Sequence, residues 1–368
     1  MKHGYCLLVF LFFTTLLSSQ PESISARPLR VGIVGLVHTH VHWILGREPR
    51  GDIQVVGIVE PNRELALRYA QQHGFSMDIV FNSIGEMLEA VQPEAVTAFN
   101  TIYGHLEVVE QCAPKGIHVM VEKPLAVSLE HARRMAALAE EHGILLLTNY
   151  ETTWYGSNHA AKAMVDEGKI GPLRKIVVHD GHPGPKEIGV NEEFLEWLTD
   201  PKLNGGGALT DFGCYGANLV TWLMNGQRPV SVTCVTQQFK PDVYPKVEDE
   251  ATLILAYPKT QAIVQASWNW PYNRKDIEIY GATGYIINRD RENMDILLEE
   301  KEGPFNQQAA SLEGGYFDPF AFLAAAVNGE VVVPDYDLSS LENNMIVMEI
   351  LEAAKQSAEK GQTIFLKK

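Results

Sequence analysis

The sequence predicts an α/β protein: a doubly wound parallel sheet at the N-terminal end, then an α+β domain with a mainly antiparallel open sheet. Three observations carry this. Between residues 29 and 147, short β-branched runs alternate with helical stretches that stop at glycine. That is the rhythm of strands covered by helices on both faces. Beyond residue 150, strands follow one another without intervening helices, which implies antiparallel neighbours. At 368 residues the chain exceeds one ordinary hydrophobic core, so two domains are expected, at 27–149 and 150–368.

Residues 1–26 stand outside that pattern. Lys2 and His3 precede an apolar run from Tyr5 to Leu17, and small and polar residues follow through Ser23–Ala26. A positive start, an apolar run too short to span a bilayer and a small-residue cleavage zone describe a secretory signal peptide. The expectation is a secreted or periplasmic protein with no membrane segment in its mature form. No twin arginine precedes the run and no cysteine follows it at the cleavage zone, which argues against export after folding and against a lipid anchor. Losing Cys6 with the signal leaves Cys112, Cys214 and Cys234, widely spaced and without a CxxC pair. We expect packed thiols.

The composition, 46% hydrophobic and 21% charged, is that of a soluble globular chain. A formal charge of −16 excludes nucleic acid and anionic membrane surfaces, which require a basic footprint. The expected partner is a small molecule.

In the first domain the expected strands are Arg30–Gly35, Ile53–Val59, Ala95–Phe99, Ile117–Val121 and Ile144–Leu147. Helices Asn62–His73, Gly104–Lys115 and Ser128–His142 lie between them, closed by Gly74, Gly116 and Gly143. In the second, helices Asn158–Glu167 and Asn191–Leu198 surround a strand at Leu173–Asp180, and a third helix begins near Asp211. Strands Val230–Gln238, Ala251–Tyr257, Gln261–Trp268, Asp276–Tyr280 and Tyr285–Asn288 follow, then a helix over about Ser339–Glu359 and a short strand at Thr363–Leu366. The cleft between the domains is the default site. The runs Val247–Ala251 and Ala251–Trp268 suit a flat sheet face that joins copies into a homo-oligomer.

Gly32-Ile-Val-Gly35-Leu-Val-His38 reads as a strand-to-helix turn that meets a dinucleotide phosphate. A full G-x-G-x-x-G would start at Gly35, but Val37 and His40 fill its second and third glycine positions, so the turn alone is a weak signal. Glu60, ending the second strand, adds to it. A carboxylate there accepts ribose hydroxyls and repels a 2′-phosphate, favouring NAD, while Arg63 keeps NADP open. The expected cofactor set is Gly32, Gly35, Val37, His38, Glu60, Asn100, His105, Glu122 and Lys123. The run His38-x-His40-x-His42 resembles the metal-binding H-x-H of amidohydrolases, but that chemistry needs a (β/α)8 barrel that the second half does not supply. No metal is expected, and these histidines are assigned to the dinucleotide cleft or the first helix cap.

The stretch His118–Leu125 ends a strand by presenting Lys123 between Glu122 and Pro124, at the strand end where doubly wound sheets bind ligands. Pro124 fixes the chain direction there. Further on, a triple glycine leads to Asp211, and Tyr215, Asn218 and Trp222 follow at helical spacing, so all four share one helix face. Oxidising a carbinol by hydride transfer needs a base for the O–H proton and a cation to steady the alkoxide. Tyrosine is a poor base at its ordinary pKa of about 10. Lys123, reaching across the cleft, is expected to lower it, with Asp211 orienting the ammonium. Candidate substrate contacts are His182, Asn218, Trp197 and Trp270, with Trp268 and Tyr272 as further stacking platforms, and Arg274-Lys275 reads as a solvated turn.

Together the glycine turn, Glu60, Glu122-Lys123-Pro124 and Gly205-Gly-Gly-x-x-x-Asp211 resemble the Gfo/Idh/MocA oxidoreductase family, over residues 29–368. The resemblance implies a Rossmann domain, a C-terminal sheet often used for oligomerisation, and a nicotinamide cofactor acting on sugars or polyols. It also implies Lys123 as the catalytic lysine with Asp211 as its carboxylate partner. Many members carry His and Asp where this chain has Tyr215 and Asn218. That departure is similar to the glucose-fructose oxidoreductase and dihydrodiol dehydrogenase branch, in which tyrosine takes the acid–base role. The expected activity is that of an exported NAD(P)-dependent sugar oxidoreductase with a tightly bound cofactor. Two alternatives stay open: a redox-neutral glycosidase working by transient oxidation and elimination, and a non-catalytic sugar- or nucleotide-binding protein.

Overall fold

The computed structural model describes Met1 and residues 27–299 and 303–366; residues 2–26, where the signal peptide is expected, lie outside the described residues. The first sheet is parallel, in the order β3-β2-β1-β4-β5-β6. Its strands are β1 (Leu29–Val34), β2 (Ile53–Val59), β3 (Val80–Phe81), β4 (Ala95–Ala98), β5 (His118–Glu122) and β6 (Leu146–Asn149). Between them run α1 (Val41–Leu45), α2 (Arg63–His73), α3 (Ile84–Val91), α4 (His105–Cys112) and α5 (Leu129–His142). Local chemistry sets the boundaries. The Asn62 and Ser128 side chains accept backbone N–H bonds at the starts of α2 and α5, and Gly74 and Gly143 close them with φ of 77° and 63°. The sequence reading missed β3 and α3, because two residues of strand are too few to show a period.

The second half opens with α6 (Gly156–Asp166), β7 (Leu173–Gly181), α7 (Glu192–Leu198), α8 (Ala208–Asp211) and α9 (Gly213–Leu223). It continues through β8 (Ser231–Gln237), β9 (Glu250–Ala256), β10 (Gln261–Ser267), β11 (Arg274–Gly281), β12 (Tyr285–Asn288), β13 (Asn293–Leu297) and β14 (Phe305–Gln308). The chain closes with α10 (Pro319–Val327), α11 (Leu341–Lys360) and β15 (Ile364–Phe365). The sheet order is β14-β13-β12-β11-β7-β10-β9-β8-β15, with β7 and β10 parallel and the other pairs antiparallel. Helices α9 and α11 cover one face, while Val235 and Ile254 stand exposed on the other. Among the described residues no helix is long and apolar enough to cross a membrane.

Two features position the site. The helix expected from Asp211 is broken: α8 ends at Asp211, Phe212 lies between, and α9 begins at Gly213. Helix α10 returns to the first domain, where Phe320 and Phe322 share a core with Ile33, Phe99 and Met120. Arg47 ties that return down, bonding both Asp318 and Asp52.

Candidate active site

Strand β5 delivers Lys123 to the C-terminal end of the parallel sheet, where α8 and α9 of the second domain meet it. The Lys123 ammonium bonds the Asp211 carboxylate and, at 3.2 Å, the Asp211 carbonyl. The second Asp211 oxygen accepts from Trp268 Nε1 at 3.0 Å. Both charges are enclosed, Lys123 being 6% and Asp211 4% exposed. Burial alone would discharge Lys123, but Asp211 overrides it and raises the lysine; the carboxyl is held low in the same way, burial being outweighed by Lys123. The pair stays ionised.

Lys123 Nζ lies 5.1 Å from the Tyr215 ring centroid, so the expected Lys123–Tyr215 juxtaposition is present. Its expected consequence is not. Burial first, then the charges of Glu151, Glu122 and Asp211 and the neighbouring Cys214, push Tyr215 well above its ordinary value. Lys123 spends its charge on Asp211, so Tyr215 is held as the neutral phenol. Its ring packs edge-on to Tyr150 at 5.3 Å, and its hydroxyl has no hydrogen-bond partner among the described residues.

On the cofactor side Gly35 turns with φ 82°, and a Cβ there would meet the Asn100 backbone at 2.7 Å. Glu60 braces this turn, accepting from Leu36 N and Asn62 N at 2.9 Å each. A carboxylate has lone pairs beyond those two bonds, so ribose hydroxyls still find an acceptor. Val37 presents its carbonyl to Trp197 Nε1 at 3.4 Å. Three buried polar atoms around the strand ends have no hydrogen-bond partner among the described residues: His38 Nε2, Asn100 Oδ1 and His105 Nε2. Buried polar atoms are normally satisfied, and a polar dinucleotide would satisfy these. The residues present fit such a cofactor. Gly32 is the exception: a Cβ there would meet Met87 Cε at 2.7 Å, so it serves helix packing beneath the sheet and not a phosphate.

Glu122 accepts from Asn149 Nδ2 at 2.7 Å and pairs with His40 Nδ1 at 2.9 Å, with His38 Nε2 at 3.9 Å. Burial opposes its charge, but the two histidines and these bonds bring its pKa down to about 2. The donor atoms of His38, His40 and Glu122 lie within 4.8 Å of one another, and hydrogen bonding already joins two of them.

Of the expected substrate contacts, the structure brings His182 to the site. His182 feels Asp211, Lys275 and Lys123, and burial takes its pKa to about 4. Trp270 is not placed there: its ring lies at the end of β7 against His179 and the Arg274 guanidinium, on the sheet face opposite Lys275. Asn218 is not at the site: buried in α9, it donates to the Leu338 carbonyl at 2.8 Å, a structural link to the start of α11. Trp197 packs on Phe194 and His38 behind the glycine turn, 3% exposed, so it is core. Trp268 is no stacking platform either, being fully buried on Asp211. Lys275 is not in a solvated turn; it lies within β11, bound to Glu151 and 4.8 Å from the Tyr215 ring centroid. Sequence reasoning missed Glu151, Asp180 and Lys275. The available signal was the pairing of β7 with β11, which a strand pattern alone does not reveal. Cys112, Cys214 and Cys234 are buried free thiols, as expected.

Comparison with known proteins places this geometry. Residues 29–150 match the family described as oxidoreductase family, NAD-binding Rossmann fold, and residues 158–287 match the GFO/IDH/MocA C-terminal domain. Trans-1,2-dihydrobenzene-1,2-diol dehydrogenase of Macaca fuscata fuscata is 25% identical over 232 residues, 62% of this chain and 65% of that protein. The 1,5-anhydro-D-fructose reductase of Ensifer adhaerens is 27% identical over 53% of this chain and 56% of its own length. The matches thus span less than two thirds of those relatives. In fold, the chain is similar to the aldose-aldose oxidoreductase of Caulobacter crescentus solved with glycerol, with TM-score 0.77, 21% identity and coverage of 92% and 100%. It is likewise similar to an inositol dehydrogenase homologue of Azotobacter vinelandii solved with NAD+, at TM-score 0.78, 18% identity and coverage of 93% and 98%. With both halves matched in order, the chain belongs to the GFO/IDH/MocA oxidoreductase family, and residues 29–150 are its NAD-binding Rossmann domain.

Proposed function

We propose that the mature chain is an exported, NAD-dependent oxidoreductase that moves a hydride between nicotinamide and a carbinol carbon of a sugar or polyol. The carrying observation is the buried Lys123–Asp211 pair set beside the ring of Tyr215, whose hydroxyl has no hydrogen-bond partner among the described residues. Bound NAD supplies the hydride acceptor or donor. In the reducing direction Tyr215, held as the phenol, donates its proton to the oxygen that becomes the carbinol and is left as the tyrosinate; in the oxidising direction it is that tyrosinate that takes the carbinol proton and returns to the phenol. Lys123 holds a fixed positive charge beside that oxygen, where alkoxide character develops in a site closed to water. Asp211 keeps Lys123 charged and aimed.

The substrate class is supported by the relatives, whose names describe a cyclic diol and an anhydro sugar. Glu60, enclosed against the turn, favours NAD over NADP. Export, read from residues 1–26, makes a resident and recycled cofactor the expected arrangement. The open face of the second sheet, with Val235 61% exposed, is the surface we assign to a homo-oligomer.

The test is to express residues 27–368, denature the purified protein and identify released nucleotide by mass spectrometry. Stoichiometric NAD is expected. A protein that is empty and also fails to bind NAD by calorimetry would overturn the reading.

A further inference from the structure

A cavity of about 210 Å3 lies beside the reacting centre, walled by Trp43 of α1, Trp154 before α6, and Phe317 and Phe320 at the start of α10. Four aromatic rings around one space favour a flat, apolar guest. An apolar cavity of roughly 150 Å3 already takes up benzene, so this one has room for a single six-membered ring with a small substituent.

The cavity adjoins the reacting centre through both walls of the cleft. On the first-domain side the Trp43 ring stacks on His40 at 3.8 Å, and His40 pairs with Glu122, the neighbour of Lys123. On the other side Glu151 lines the cavity and holds the Lys275 ammonium, which stands 4.8 Å from the Tyr215 ring centroid. A molecule reacting at Tyr215 therefore meets the cavity with the ring it carries next to the reacting one.

Three charged residues line the cavity, and two of them are already saturated. Asp318 accepts from Arg47 Nε at 2.7 Å and from the amides of Phe320 and Ala321. Glu151 is taken by Lys275 and by the Tyr155 hydroxyl at 2.6 Å. The third, Arg291, is exposed in the turn between β12 and β13. Its guanidinium rests on the Tyr155 ring at 4.9 Å and has no carboxylate partner among the described residues. Acidic residues outnumber basic ones 46 to 30 in this chain, yet this cation stays unpaired. Charge complementarity therefore points to a guest that brings its own anion, and a planar carboxylate matches the guanidinium fork.

The walls also choose between two kinds of ring. A second sugar would need partners for its hydroxyls, but Trp154 Nε1 is already given to Asn149 at 2.9 Å, and both carboxylates are saturated. An aromatic ring asks for no such partners.

We propose that the substrate is a glycoside whose aglycone is a carboxylated aromatic ring, seated in this cavity with its carboxylate on Arg291. This rests on the redox reading above and concerns the part of the substrate that the hydride does not touch.

The test uses residues 27–368 loaded with NAD. The probes are the phenyl, 4-carboxyphenyl and 4-carbamoylphenyl β-D-glucopyranosides and the matching galactopyranosides, read as the second-order rate constant of NAD reduction in single turnovers. Binding of free 4-hydroxybenzoate and 4-hydroxybenzamide is measured by calorimetry alongside. In wild type the carboxylate probes should exceed the carboxamides by about 10- to 100-fold, the worth of one charge-assisted hydrogen bond. Arg291→Gln should erase that preference, and Arg291→Lys should retain part of it. Trp43→Ala should weaken every ring-bearing probe while keeping their order. Carboxylate and carboxamide probes that react alike in wild type, or a preference that survives Arg291→Gln, would overturn the proposal and leave the redox reading standing. Binding of 4-hydroxybenzoate that depends on Arg291, with no NAD reduction by any glycoside, would overturn the redox reading and with it the assignment of the ring to a substrate.

Discussion

Two ion pairs flank Tyr215, and they differ in what they leave open. On the β5 side Lys123 is held by the carboxylate and carbonyl of Asp211, and the remaining carboxylate oxygen is filled by Trp268. On the β11 side Lys275, Glu151 and Tyr155 close on one another, yet Asp180 beside them keeps two unpartnered oxygens. The first arrangement is saturated, so it holds a charge in place. The second leaves a carboxyl unsatisfied among the described residues.

The largest effects should come from breaking the saturated side. Lys123→Met leaves Asp211 as a buried, unpaired carboxylate, which should cost about 3–5 kcal/mol in urea unfolding and reduce turnover by orders of magnitude. The double variant Lys123→Met/Asp211→Leu should recover much of the stability and none of the turnover. If the single variant unfolds like wild type, the pair is not the closed element described here. Next is Tyr215→Phe, expected to lower the rate of NAD reduction by about 100- to 10,000-fold. Because the hydroxyl has no partner among the described residues, its removal orphans none of them, and stability should change by less than about 1 kcal/mol. A large loss of stability would show a structural role instead.

Acid should separate the sides from solvent in a third way. Burial holds both His105 and His182 near a pKa of about 4, below the ordinary 6.5. The unfolded chain therefore takes up protons as pH falls through 6.5, while the folded chain refuses them until about 4. Stability should be level above pH 7 and fall between pH 6.5 and 4, by up to about 3 kcal/mol for each such histidine. Urea unfolding at pH 7.5 and pH 5 measures this, and His105→Gln should remove one proton's share of the slope. The smallest effect expected is that of Trp268→Phe, which orphans one Asp211 oxygen for about 1–3 kcal/mol while leaving Lys123 paired. Its turnover should fall far less than that of Lys123→Met.

Much of this was legible in the sequence because it is local. Gly74 and Gly143 ended helices where a left-handed residue was needed, and the apolar runs of β1, β2, β4 and β5 announced strands buried on both faces. Lys123, Asp211 and Tyr215 were legible because strand end, glycine run and helix spacing each mark a chain position. What failed was non-local. Asn218 shares Tyr215's helix, but the start of α11 claims it through Leu338. Gly32 lies in the same turn motif as Gly35, yet Met87 from α3 occupies the space above it. Asp180 follows Ile176 and Val178 in one alternating row, which reads as core until β11 sets Lys275 opposite. Lys275 read as a turn residue because nothing near it in the chain predicts Glu151.

The most direct test of the central claim is a single-turnover measurement at 340 nm, mixing the NAD-loaded protein with D-glucose, myo-inositol or trans-1,2-cyclohexanediol. The account predicts a rise in absorbance with at least one of these, even if the hydride later returns, and its loss in Lys123→Met and Tyr215→Phe with NAD still bound. A wild-type protein that carries NAD and shows no absorbance change with any of them, or variants that match wild type, would contradict it.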